Sequence, residues 1–230
     1  MAAAPHAGHP RLGLPEVLLT EGVATALLLI AVVGSGIMAE KLSGGNVGIA
    51  LLANAIATGG ALVALILAFG PRCGAHMNPA VTLAAAMTGG LRWSSVPPYL
   101  VVQVIGGVLG VWLAHVMFEL PVMQASTHAR SGMGQWVAEA IATFGLLATI
   151  WGCRAHTGPV TAFAVASYIV GAYWFTASTS FANPAVTIAR GFTDTFAGIL
   201  PSDVPGFILA QIVGLLVALP LLRRPAAGPD

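Results

Sequence analysis

The sequence predicts an all-α integral membrane fold: six transmembrane helices plus two re-entrant half-helices, arranged as an inverted repeat. Three observations predict it. The 230 residues are 57% hydrophobic and 7% charged, with a mean hydropathy of +0.88, whereas a soluble domain carries about a quarter charged residues. Six apolar segments are long enough to cross ~30 Å of hydrocarbon, which takes about 20 helical residues. One string recurs in each half, as Met77-Asn78-Pro79-Ala80-Val81-Thr82 and Ala182-Asn183-Pro184-Ala185-Val186-Thr187.

The six spans fall at about 14–38, 47–69, 95–118, 134–154, 159–177 and 204–222. Gly, Pro and polar turns separate them, such as Ser43-Gly44-Gly45-Asn46 and His156-Thr157-Gly158-Pro159. The first thirteen residues contain no apolar run, so no cleaved signal peptide is expected. Two further apolar stretches, 78–88 and 183–193, are too short to span. Each makes roughly 16 Å of helix at 1.5 Å per residue, half a bilayer. Interrupted segments at matching places in two halves point to a site at the membrane midplane. Irregular backbone at that depth is tolerated only where protein or a water-filled cavity surrounds it.

Charge sets the expected orientation. With both termini cytoplasmic, Arg11, Arg72, Arg92, Arg154, Arg223 and Arg224 lie inside, against Lys41, Arg130 and Arg190 outside. The expectation is a single multi-pass domain over 1–230 in the inner (plasma) membrane, with repeats at 12–118 and 134–222 and short tails at 1–11 and 224–230. Three spans per half invert the second repeat, so one short loop enters from each face. Other positions recur too: Glu21, Ala24 and Thr25 match Glu139, Ala142 and Thr143, and Gln103 and Gly106 match Gln211 and Gly214. Gly106 and Gly110 form a GxxxG spacing that permits close helix packing.

Asn is a favoured N-cap and Pro a favoured first helical residue. Asn78-Pro79-Ala80 and Asn183-Pro184-Ala185 therefore start the two half-helices, with their positive dipole ends facing each other. Each Asn caps with its side-chain oxygen and is expected to turn its amide N–H donors toward a passing solute. The pair is a polar constriction that favours neutral acceptor-bearing molecules and opposes cations and protons.

A net charge of +1 gives no case for nucleic acid. Cys73 and Cys153 lack metal-ligand spacing, so neither a metal site nor a cofactor is expected. No nucleotide-binding loop or catalytic triad pattern marks an enzyme.

Over residues 12–222 the chain resembles the aquaporins and aquaglyceroporins of the major intrinsic protein family. The resemblance is carried by Gly74-Ala75-His76-Met77-Asn78-Pro79-Ala80-Val81-Thr82 and by the second triplet. It implies a homotetramer with one pore per protomer. It also implies that Glu21 and Glu139 brace the folded-in loops; a proton relay is the alternative for carboxylates within a membrane.

The departure from the family is Val186, where most members have arginine. Ungapped counting from the triplets puts the other three filter positions on Thr58, Gly171 and Ser180. These four residues predict a wide, uncharged filter. Arg190, one turn later, either reaches the pore mouth or pairs with Asp194 at i+4. Tyr173 and Trp174 either narrow the pore or anchor at the interface. Cys73 is a small loop residue or a site where thiol-binding metalloids block.

The expected cargo is small neutral solutes and water: glycerol, urea, undissociated acids such as arsenous acid, and methylated arsenicals. The filter resembles that of Arg-less bacterial members associated with arsenic resistance. An ordinary water or glycerol facilitator is the near alternative. An ion-coupled transporter or a structural membrane protein are the alternatives from other classes.

Overall fold

The computed structural model describes residues 13–156 and 158–223. Arg11, Thr157, Arg224 and the two tails lie outside the described residues. Among these residues are eight α-helices and two short 3-10 turns, and no strand. The helices are α1 (Leu14–Leu42), α2 (Val47–Cys73), α3 (Pro79–Met87), α4 (Val96–Met117), α5 (Met133–Gly152), α6 (Val160–Phe175), α7 (Pro184–Arg190) and α8 (Val204–Leu222).

Local signals set the boundaries. Glu16 accepts the Gly13 N–H at the start of α1 (3.0 Å), and the Asn46 side chain accepts the Ile49 N–H at the start of α2 (3.1 Å). α1 and α2 both run past their apolar stretches, through Lys41 and Pro71. Membrane thickness limits the apolar run and not the helix, so a helix continues into polar surroundings at no cost. α1, α2, α4, α5 and α8 have the length and composition to cross a membrane; α6 has 16 residues, about 24 Å of helix.

α7 stops at Arg190, short of the expected 193. Tertiary partners take over the end: the Arg190 carbonyl accepts from Ile199 N–H (3.2 Å) and the Gly191 carbonyl from Ser126 N–H (3.1 Å). Carbonyls satisfied in this way do not need another helical turn.

Polarity runs inside-out relative to a soluble protein. Glu21, Gln103, Glu139 and Gln211 are fully buried, while Leu19, Ile56, Leu209 and Val217 are exposed on helix surfaces. Apolar surface of this extent fits lipid.

The main pairings are α1 with α4 and α2, α5 with α8, and α2 with α6. Glycine permits the tightest of them. A Cβ added at Gly106 or Gly110 would sit 2.3 Å from the carbonyl oxygen of Gly22 or Ala26 on α1, and one at Gly214 would sit 2.3 Å from that of Ala140 on α5. The same device therefore closes α1 on α4 and α5 on α8. It places Glu21 opposite Gln103, and Glu139 opposite Gln211.

Candidate functional site

The half-helices α3 and α7 meet through their N-caps. Asn78 Oδ1 accepts the Ala80 N–H (2.9 Å), and Asn183 Oδ1 accepts those of Ala185 (3.0 Å) and Val186 (3.3 Å). Each amide also reaches across to the other loop. Asn78 Nδ2 donates to the Ala182 carbonyl (2.8 Å) and Asn183 Nδ2 to the Met77 carbonyl (2.7 Å). This reciprocal clasp uses one N–H of each amide, so one donor per Asn remains for the lumen where the sequence led us to expect both. Met77 and Ala182, the residues before each Asn, share a φ of +48°. That conformation costs a non-glycine residue on the order of 1 kcal/mol, and the clasp compensates for it.

Buried carboxylates hold the loop backbones. Glu139 accepts from Phe181 N–H and Ala182 N–H, both at 2.8 Å, and from Gln211 Nε2 at 2.7 Å, using both oxygens. Glu21 accepts from Met77 N–H and from Gln103 Nε2 (2.8 Å) with Oε1 alone; its Oε2 has no partner. Gln103 and Gln211 each also donate to a half-helix threonine, Thr82 (3.0 Å) and Thr187 (2.9 Å). Neither carboxylate is among the residues that line the cavity described next.

A cavity of about 240 Å³ passes both asparagines. Four helices line it with stripes of every fourth residue: Leu28 and Val32 of α1; Thr58, Leu62 and Ile66 of α2; Leu146 and Ile150 of α5; and Thr161, Val165, Ile169 and Tyr173 of α6. Trp151 and Arg154 mark one end, with the guanidinium 4.9 Å from the indole ring. Tyr173, Phe181 and Arg190 mark the other.

Of the four counted filter positions, Thr58, Ser180 and Val186 line the cavity and Gly171 does not. Gly171 precedes Tyr173 by two residues, about 200° around a helix, so it faces away, and a Cβ added there would meet the Phe175 ring at 3.7 Å. Tyr173 takes the lumen position instead, and its hydroxyl shares a hydrogen bond of 3.2 Å with Thr58 Oγ1. Ser180 is buried and its Oγ has no partner. Trp174 points outward, half exposed.

The expectation of an uncharged lining fails as well. Arg190 lines the cavity, is 3% exposed, donates from Nε to the Ala197 carbonyl, and stacks 3.4 Å from the Phe181 ring centroid. The helix pair with Asp194 does not form, because α7 ends at Arg190. Asp194 instead accepts from Thr127 N–H (2.7 Å) and Thr127 Oγ1 (2.8 Å). Those two bonds, with His128 nearby, hold its carboxyl below the usual range. Cys73 is buried against Phe69 and Ala75 and lies off the cavity lining.

Sequence reasoning missed Phe181 and underweighted Tyr173. The signal for Tyr173 was present: Thr161, Val165, Ile169 and Tyr173 recur every four residues, whereas counting back across an irregular loop carries no register. Phe181 occupies the place in the second string that His76 holds in the first.

The family model described as Major intrinsic protein matches residues 13–158. The chain belongs to the major intrinsic protein family. It is thus a multi-pass membrane channel and not an enzyme. It is 50% identical over 206 residues to aquaglyceroporin AqpS of Rhizobium meliloti (strain 1021), covering 89% of this chain and 88% of that one. It is 29% identical over 228 residues to the probable aquaporin NIP7-1 of Arabidopsis thaliana, covering 93% and 80%. Among solved structures, the aquaglyceroporin from Plasmodium falciparum has a similar fold, with a TM-score of 0.71 at 18% identity over 92% of this chain and 96% of that one.

Proposed function

We propose that this channel conducts small, neutral, hydroxyl-bearing solutes passively: water, glycerol, urea and undissociated metalloid acids such as arsenous acid. The observation that carries the reading is the lining of the cavity. It combines apolar stripes with unspent donors, one N–H on each of Asn78 and Asn183. Apolar walls exclude ions, and sparse donors replace part of a neutral solute's hydration.

In this reading Asn78-Pro79-Ala80 and Asn183-Pro184-Ala185 form the midpoint constriction, and Glu21 and Glu139 brace its loops. Thr58, Tyr173, Ser180, Val186 and Arg190 form the filter. The Arg190 end faces outward, the termini are cytoplasmic, and the protein assembles as a homotetramer in the plasma membrane. The match to the family and the likeness to an aquaglyceroporin support the glycerol assignment. Arsenous acid follows from its chemistry, a neutral triol-like acid of glycerol size.

Stopped-flow flux into proteoliposomes tests the proposal with water, glycerol, urea, arsenous acid and a methylated arsenical. The expected result is non-saturating flux that is independent of any ion gradient. Saturable, gradient-coupled uptake would overturn it. Exclusion of glycerol and arsenous acid with retained water flux would reduce the protein to a water pore.

A further inference from the structure

Two arginines converge on one aromatic ring at the Tyr173 end of the cavity. The Arg190 guanidinium lies 3.4 Å and the Arg130 guanidinium 5.2 Å from the centroid of Phe181. They come from different elements: Arg190 closes α7, and Arg130 sits in the segment joining α4 to α5.

One tripeptide seats both. The Ala197 carbonyl accepts from Arg190 Nε, while the carbonyls on either side, Phe196 (3.5 Å) and Gly198 (2.7 Å), accept from Arg130. Ser178 adds a fourth carbonyl, at 3.5 Å from Arg130 Nη1. Asp194 docks the segment that carries Arg130 through its two bonds to Thr127, and Asp203 accepts the Arg130 backbone N–H (2.7 Å).

Neither guanidinium has a carboxylate partner among the described residues, where the ion pair within 4.0 Å is His128–Asp194. The terminal N–H groups of Arg190 find no protein acceptor there either. Carbonyl oxygens and a ring face disperse these charges without cancelling them. Two like charges so close repel each other, and the fold holds them together with backbone acceptors and not with carboxylates. A paired set would present little field to the lumen; here Arg190 lies on the cavity lining and Arg130 off it, and the nearest opposing charge is the Glu139 carboxylate bonded to the Phe181 backbone N–H, in an ion pair with neither.

Building on the channel reading above, we propose that Arg130 and Arg190 form a two-cation barrier on the Phe181 ring, with Arg130 a specificity-determining residue that excludes cations without contacting the neutral cargo. A cation at the constriction meets both charges in a partly desolvated setting, where each counts for far more than in water. The Phe181 ring fixes their spacing, and the 196–198 carbonyls fix their direction.

The test compares Arg130→Gln, Arg130→Lys, Arg190→Gln and the double glutamine variant in proteoliposomes, reading K⁺ leak and glycerol flux on the same preparations. The expected rise in K⁺ leak is on the order of tenfold for Arg130→Gln, larger for Arg190→Gln and largest for the double variant. Glycerol flux should stay within about threefold of wild type for Arg130→Gln. Arg130→Lys keeps the charge but not the guanidinium fork, and should leak no more than wild type.

Arg130→Lys leaking as much as Arg130→Gln would mean that Arg130 acts only as a structural tie, and would overturn the proposal. So would a leak at the wild-type level in the glutamine variants with glycerol flux retained. If Arg190→Gln does not insert, the contrast between the two Arg130 variants decides. Absence of glycerol flux in wild type would instead sink the channel reading itself, and the barrier with it.

Discussion

Glu21 and Glu139 occupy matching places but are bonded differently, and neutralising each tests the bracing role. In Glu139→Gln one oxygen becomes an NH₂ group facing the N–H of Phe181 or Ala182, each bonded at 2.8 Å in the wild type. At least one buried backbone donor then loses its acceptor, which costs roughly 1–3 kcal/mol. The remaining bonds lose their charge assistance, so the total is about 2–4 kcal/mol.

In Glu21→Gln the NH₂ can take the place of Oε2, which has no partner, while the retained oxygen keeps both Met77 N–H and Gln103. That change costs about 1 kcal/mol or less. A difference of 1–3 kcal/mol corresponds to roughly 2–12 °C in melting temperature for a chain of this size. Thermal unfolding of both variants in the same detergent reads it, and glycerol flux reports whether the loops remain seated. Glu21→Gln melting as low as Glu139→Gln, or lower, would refute the reasoning that bonded oxygens, and not the charge alone, set the bracing energy.

Other outcomes follow from the same geometry. Tyr173→Ala should raise flux of solutes bulkier than glycerol by several-fold with a smaller change in water flux, measured by stopped flow; equal changes would remove Tyr173 from the narrowest point. Asn183→Asp removes the donor to the Met77 carbonyl and adds a negative charge, so cation leak should rise and stability fall by about 1–3 kcal/mol; an unchanged leak would count against the donor account. Gly106→Val drives a side chain into the Gly22 carbonyl, a clash costing about 1–3 kcal/mol or more, and should reduce folded yield far more than Gly60→Val, where a Cβ meets nothing within 4 Å. Asp194 is held below its ordinary pKa by Thr127, so its tether is fully present above the usual carboxylate range and is lost as pH falls through the depressed folded value. Hydrogen exchange at the Thr127 amide should therefore stay slow at neutral and mildly acidic pH; loss of protection already near neutrality would show that another group holds the segment.

Much of the fold was legible because bilayer thickness and hydropathy leave few choices. Six apolar runs and two half-length ones mark eight helices, and the Asn-Pro pairs mark the starts of α3 and α7 at Pro79 and Pro184. The Gly106 and Gly110 spacing also marked a real backbone approach. The filter was only partly legible. Thr58 lines the cavity, although the count back to it also crosses an irregular loop, with positive φ at Gly74, Ala75 and Met77. Gly171 was a miss because residues 176–183 are irregular, with positive φ at Thr179, Ser180 and Ala182, and register does not survive such a loop. Arg190 is ambiguous in one dimension: the Asp194 pair assumed another helical turn, which the partners of the 190 and 191 carbonyls make unnecessary. Arg130 gave no local signal, since the ring it shares with Arg190 lies 51 residues away.

The two copies of the string divide frame from selectivity. What they share is backbone support: the Asn clasp, the carboxylate, the glutamine and the half-helix threonine recur in both. Among the positions that differ is the second residue before Asn. In the first copy it is His76, which bonds Thr82 (3.1 Å) and packs on Tyr99. In the second it is Phe181, which carries two guanidinium groups. A duplicated loop needs the same support twice, because the same backbone N–H groups are buried twice. Only one end of a pore has to choose among solutes. The place where the copies diverge, and not the triplet they share, is therefore where the choice of solute belongs, and it reaches beyond Val186 to Phe181 and the residues seated around it.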